Sequence, residues 1–116
     1  MNEPDSAALL AHILDAALKA TSYVEGMAKD EFLADERTQQ AVILNILIIG
    51  EAATKLMDAY AEAAGRYPNT KWREMRGMRN RIAHGYYDIN LDVVWETVSA
   101  ALPELVEELR ATDRQA

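Results

Sequence analysis

The ten residues from Met78 to Tyr87, MRNRIAHGYY, gather the side chains of this chain best suited to chemistry on a phosphate. They include Arg79, Arg81 and His84, with Asn80 among them and Tyr86 and Tyr87 just beyond. A histidine can take the proton of a ribose 2'-hydroxyl or return one to a departing oxygen. The planar fork of an arginine can hold the phosphate while charge grows on its oxygens. DNA lacks that hydroxyl, so the reaction these groups fit is metal-independent cleavage of RNA. The acidic clusters of two-metal phosphate chemistry are missing nearby, since only Asp88 lies close in sequence. No glycine-rich phosphate loop, nucleophile elbow or HExxH helix occurs in the chain. With no cysteine and two histidines far apart, a metal site has little to be built from, and no cofactor is expected.

Spacing limits how these groups can meet. Arg79 and His84 are five residues apart, about 500° around an ideal helix and hence about 140° from a common face. They converge only if the helix ends at His84 and the chain turns at Gly85, or if two copies of the helix meet about a two-fold axis. On the residues alone, a histidine before a glycine is also an ordinary helix end, its positive form suited to the negative end of the helix dipole.

The charge pattern singles out the same region. The net charge of -7 argues by itself against a nucleic-acid binder. Yet Arg66 to His84 holds Arg66, Lys71, Arg73, Arg76, Arg79 and Arg81 against the single acid Glu74, a local net of +5, while the segments before and after carry -7 and -5. One reading is a solvated basic helix face. The other is a basic strip on an acidic body, suited to a local polyanion held in a narrow cleft and unsuited to long DNA.

The elements that must position the strip read as helices. At 116 residues with half of them hydrophobic, one domain over residues 1 to 116 and one core are expected. After a tail over residues 1 to 5, capped at Asp5 or Ser6, a first helix runs to about Ala28 with Leu9, Ile13, Ala16, Ala20, Val24 and Met27 inward, His12 outward and Gly26 near its end. Lys29 to Glu36 is a polar connection with Phe32 and Leu33 as a hydrophobic latch. A second helix, Glu36 to Ala64, is apolar over nearly its whole circumference. It therefore lies at the centre of a bundle or packs one face against a second subunit, and Asn45 within it bonds either inside its own chain or to its copy. Gly50 allows a close helix approach, and Glu51 next to it calls for Arg79 or Arg81. A third helix spans Asn69 or Thr70 to His84, ended by a left-handed Gly85. A fourth starts at the cap Asn90, is divided by Pro103 at Leu102, and leaves Ala111 to Ala116 as a tail. The architecture expected is an all-α, four- to five-helix up-and-down bundle, with the second-subunit alternative open. The start MNEPDSAALL lacks signal-peptide features, and Ala41 to Ile49 falls short of the roughly 18 residues of a membrane span, so a cytoplasmic protein with no membrane partner is expected.

Over residues 6 to 110 the chain resembles the HepT-like ribonuclease toxins of the HEPN superfamily, partners of MntA-type minimal nucleotidyltransferase antitoxins in type VII toxin-antitoxin systems. The likeness rests on IIGEAA at Ile48 to Ala53, on Pro68 with Trp72, on GMRNRIAHGYYDI at Gly77 to Ile89, and on Val94-Trp95 followed by Leu102-Pro103. It implies that Arg79 and His84 are the catalytic arginine and histidine and that Asn80 matches the polar second position. It also implies that Tyr86 is the residue to which the antitoxin attaches AMP, and that two helical bundles pair as a homodimer so that both motifs face one cleft. Arg73, Arg76 and Arg81 would support RNA binding, and Tyr87 is read as a packing residue. A non-catalytic nucleotide- or RNA-binding subunit of a complex with a minimal nucleotidyltransferase remains the alternative.

Overall fold

A computed structural model describes residues 5–115, with side chains through Ala111. The regular elements of the described backbone are all helical, without strands. Its elements are α1 (Ser6–Tyr23), α2 (Lys29–Leu33), α3 (Glu36–Ala59), α4 (Ala61–Gly65), α5 (Trp72–His84), a 3-10 turn (Tyr86–Asp88), α6 (Leu91–Glu96), a π-helical turn (Thr97–Ala101) and α7 (Leu102–Gln115). Because α6, the π turn and α7 follow one another without a break, four long rods form the bundle, and α2 and α4 are single turns between them.

The apolar stripes of the rods meet in a shared core. Leu9, Ile13, Ala16, Ala17 and Ala20 of α1 face Val42, Ile46, Ile49, Ala53 and Leu56 of α3. Val94, Val98, Leu102, Leu105 and Leu109 close the core from the last rod. The small residues of α1 let it lie close on α3, its main neighbour. Phe32 is fully buried from α2 and stacks at a tilt on Trp95, ring centres 5.4 Å apart, so it is the expected latch, whereas Leu33 is exposed.

Side-chain caps start three of the rods. Asp5 Oδ1 accepts from the Ala8 N–H at 2.8 Å, Asp35 Oδ1 from Thr38 at 3.1 Å, and Asn90 Oδ1 from Asp92 and Val93. The Asp35 carboxyl, which also accepts the Thr38 hydroxyl, is held below its usual range by that hydroxyl first and the backbone N–H second. The expectation that residues 1 to 5 form a tail lies, apart from Asp5, outside the described residues.

Several boundaries differ from those read in the sequence. The first helix ends at Tyr23 and not near Ala28. The Thr21 and Ser22 hydroxyls bond back to carbonyls one turn earlier, and Gly26 adopts φ 79° in the turn that follows. Lys29 to Leu33 forms one helical turn, its start closed by Glu31 accepting from the Ala28 N–H at 2.9 Å. The second predicted helix is interrupted at Tyr60, whose φ of -135° and ψ of 51° leave the helical region, so α3 and α4 are separate. Gly85 sits at φ -166°, extended and not left-handed, so the chain leaves α5 straight into the 3-10 turn. Pro103 does divide the last rod at Leu102. The π turn before it absorbs the missing N–H, with the Leu102 N–H bonding five residues back to Thr97. The expected tail from Ala111 continues α7 as backbone helix to Gln115.

Asn45 is buried and donates Nδ2 to the Ala41 carbonyl at 2.9 Å, a bond within its own chain. At 24 residues α3 is long and apolar enough to cross a membrane by length and composition, but it is the core helix of this bundle and half of that stretch is buried. On its outer face Leu44 and Ile48, one turn apart, are 56% and 39% exposed.

Candidate active site

The α5 helix carries the basic strip, and its first turn is pinned by aromatic contacts. Trp72 donates Nε1–H to the Ala64 carbonyl at 3.1 Å and meets Tyr67 edge-on at 6.2 Å. Gly50 then sets how near α5 comes to α3: a methyl added there would collide with the Arg79 Cβ and stand 2.8 Å from the Met75 carbonyl oxygen. The expected close approach at Gly50 is therefore the α3–α5 crossing.

Along that crossing the helices run antiparallel and are laced by charge. Arg76 Nη2 donates to Asp58 Oδ1 at 2.6 Å and to the Thr54 carbonyl at 3.4 Å. Arg79 Nη2 donates to Thr54 Oγ1 at 3.1 Å, while its Nε stands 3.5 Å from Glu51 Oε1. Glu51, Thr54 and Asp58 recur at three and four residues and so form one stripe of α3. The pairing of Glu51 with Arg79 agrees with the sequence, but Glu51 is exposed rather than enclosed by apolar neighbours. The contact of Arg79 Nε with Glu51 is one of charge alone, because both Arg76 Nε and Arg79 Nε are buried without a hydrogen-bond partner among the described residues.

His84 closes the last turn of α5 on another side. It is exposed and lines a groove of about 450 Å³ together with Asn80, Arg81, Asp88 and Asn90 above an apolar floor. Arg73 is exposed nearer the start of the helix. Helix α5 stays regular to His84 and Gly85 continues extended, so the first route to convergence, a turn at Gly85, is not taken. Within one chain Arg79 is tied to α3 and His84 faces the groove, with Asn80 and Arg81 beside it. Tyr86 lies past Gly85, 47% exposed, and lines the adjoining groove with Tyr87, Gln39 and Ile43. Tyr87 is 99% exposed, touching Tyr86 edge-on at 6.2 Å, and so is no packing residue. Its place in the 3-10 turn could not be inferred while Gly85 was expected to end the helix left-handed. Asp88 and Asn90 also line the groove, and nothing in their sequence context beyond a turn and a helix cap marks them as site residues. Among the described residues, no three His, Asp or Glu side chains stand as a metal site would require.

Bundle and site together define a class: an all-helical protein bearing a basic helix that ends in an exposed histidine groove. The sequence model described as Ribonuclease HepT-like matches residues 13–112. Among known proteins, "Putative RNase MJ0127" of Methanocaldococcus jannaschii is 32% identical over 109 residues, covering 94% of this chain and 88% of that protein. "Putative RNase TTE0752" of Caldanaerobacter subterraneus subsp. tengcongensis is 31% identical over 101 residues, 87% of this chain and 88% of the relative. "Probable ribonuclease HepT" of Thermococcus cleftensis is 32% identical over 96 residues, 83% of this chain and 84% of the relative. No solved structure matches. The chain belongs to the HepT-like ribonuclease family of the HEPN superfamily.

Proposed function

We propose that this protein is a metal-independent endoribonuclease acting as the toxin of a type VII toxin-antitoxin pair in the cytoplasm, with Arg79 and His84 as its catalytic residues. The observation that carries the reading is the exposed His84 at the end of α5 in a groove shared with Asn80 and Arg81, in a chain of this family. His84 takes the proton of a ribose 2'-hydroxyl as its oxygen attacks phosphorus. The bond to the 5'-oxygen breaks, that oxygen receives a proton, and a 2',3'-cyclic phosphate and a 5'-hydroxyl remain. Arg79 offsets the charge growing on the phosphate oxygens, and Arg73, Arg76 and Arg81 draw the RNA backbone in.

Because one chain holds Arg79 and His84 on different sides of α5, the reading requires a homodimer in which both motifs face one cleft. The exposed Leu44 and Ile48 supply an apolar face consistent with such pairing. The cognate partner is an MntA-type nucleotidyltransferase that transfers AMP to Tyr86, whose exposure leaves it reachable. The added bulk and negative charge beside His84 and Arg81 would close the groove to RNA. The separation of Arg79 from His84 in a single chain favours one other reading: a non-catalytic nucleotide- or RNA-binding subunit of a nucleotidyltransferase complex. Incubating purified wild type and His84→Ala with total RNA in the presence of chelator separates the two. Cleavage by wild type alone supports the ribonuclease, and equal behaviour of both proteins removes His84 from catalysis.

A further inference from the structure

The groove beside His84 contains groups that neither proton transfer nor phosphate binding uses. Its floor is apolar, from Ile82, Ile89 and the partly exposed Val93, and its wall carries Asp88 and Asn90. On the ribonuclease reading this groove receives a polyanion, and a carboxylate there repels phosphate. Asp88 is nevertheless uncommitted. Among the described residues its carboxylate meets no cation and no hydrogen-bond donor, and its Oδ2 leans over Gly85, 3.3 Å from where a Cβ would stand. Asn90 is the reverse case. Its Oδ1 is taken by the N–H groups of Asp92 and Val93 at 2.9 and 3.3 Å, which fixes its orientation, and its amide nitrogen meets no acceptor among the described residues. An acceptor, an oriented donor and an apolar floor suit the edge and face of a base and give a phosphate little. The volume of about 450 Å³ lies in the range of sites for small ligands.

We propose that this groove holds an unstacked base of the RNA, from a nucleotide adjoining the cut, and that it selects guanine. The inference rests on the ribonuclease reading and adds its base preference. Of the four RNA bases only guanine presents two neighbouring N–H donors, N1–H and N2–H, on its Watson–Crick edge. Both can be given to the Asp88 carboxylate, and O6 beside them can accept from the Asn90 amide. Adenine and cytosine set a bare ring nitrogen beside their single amino group, so one carboxylate oxygen would face a lone pair. Uracil places its one N–H between two carbonyl oxygens. Asp88 is thus a specificity residue, and the carboxylate that a phosphate cradle would not tolerate is explained.

The test uses DNA oligonucleotides that contain one ribonucleotide, so that only one position can be cut, flanked on either side by guanine, adenine or hypoxanthine. Hypoxanthine keeps N1–H and lacks the N2 amino group. Wild type is expected to favour guanine over adenine in kcat/KM by about tenfold or more on one side of the cut, the scale of a paired hydrogen bond to a base edge, with hypoxanthine between them. Asp88→Ala brings that ratio near one. Asp88 is exposed, so the substitution leaves the core intact, which circular dichroism checks. A wild-type ratio near one on both sides, or a ratio that survives in Asp88→Ala, overturns the proposal. Binding of wild type to fully 2'-O-methylated RNAs, which cannot be cut, is measured in parallel by fluorescence anisotropy and should follow the same order. A protein that binds them with guanine preferred yet cuts none keeps the base site and loses the ribonuclease reading. One that cuts without preference for any base does the opposite.

Discussion

Arg79 of α5 and Glu51 of α3 stand 3.5 Å apart, Nε to Oε1, because Gly50 leaves room for the two helices to close. The first prediction concerns that room. Gly50→Ala puts a methyl into the Arg79 Cβ and near the Met75 carbonyl, which lies 2.8 Å from it, and backbone cannot swing aside as a side-chain tip can. The better helix propensity of alanine, worth about 1 kcal/mol, offsets only part of the clash. A net loss of about 1 to 3 kcal/mol is expected in urea unfolding, with the slope unchanged. A variant as stable as wild type would show that α3 and α5 are not packed this closely.

Thr54 should matter more than Glu51 to the arginine. Its hydroxyl accepts from Arg79 Nη2 at 3.1 Å and donates to the Gly50 carbonyl at 2.8 Å, so it is fixed at both ends. Thr54→Val keeps the shape and leaves the guanidinium without that partner, at about 1 kcal/mol. Glu51→Gln, at an exposed carboxylate, should cost less than about 1 kcal/mol. If Arg79 holds the phosphate, Thr54→Val lowers kcat in RNA cleavage by roughly tenfold through misplacement, and Thr54→Ser restores most of it. Equal rates in Thr54→Val and wild type would remove Thr54 as a positioning residue.

These contacts also show what the sequence could and could not reveal. The stripe of Glu51, Thr54 and Asp58 was hidden in a helix read as apolar nearly all round. The Gly50 approach and the pairing of Glu51 with Arg79, one of the two arginines expected, were legible because a glycine in a helix admits a close neighbour and an acid beside an apolar run calls for a base. The caps Asp5 and Asn90 and the division at Leu102 follow from local side-chain chemistry in the same way. The break at Tyr60 was not legible, since no Gly or Pro marks it and the apolar pattern continues on both sides. Gly26 and Gly85 were misread because a glycine permits positive φ without requiring it. At Gly85 the following 3-10 turn demands extended backbone instead. The relation of Arg79 to His84 is the deeper limit: helix geometry separates them, and one chain's sequence does not specify what a second copy would bring.

Tyr86 and Tyr87 make a controlled comparison. Both are exposed, 47% and 99%, and they touch, so accessibility alone would favour Tyr87 as the acceptor of AMP. The proposed function instead gives the role to Tyr86. On that proposal, coexpression with an MntA-type nucleotidyltransferase partner should add AMP mass to wild type and to Tyr87→Phe but not to Tyr86→Phe, as read by intact mass spectrometry. Mass addition that persists in Tyr86→Phe and disappears in Tyr87→Phe would move the switch by one residue.

Glu108 of α7 gives a prediction independent of function. Burial raises its carboxyl above the ordinary range, and the neighbouring Glu104 adds to the rise; the Thr70 hydroxyl, 3.5 Å from Oε1, and Lys71 oppose it. The folded state therefore binds this proton more tightly than the unfolded chain does. Its contribution to stability is complete below the unfolded value, near 4.3, and is lost as pH rises through the higher folded value. At neutral pH the charged form is a strain on the fold. Glu108→Gln keeps an oxygen for Thr70 and removes the charge, so it should raise the melting temperature at pH 7 and change it little at pH 4. Differential scanning calorimetry at the two pH values measures the contrast. A gain that is equal at both, or larger at pH 4, would mean that the effect of residue 108 does not run through its ionisation.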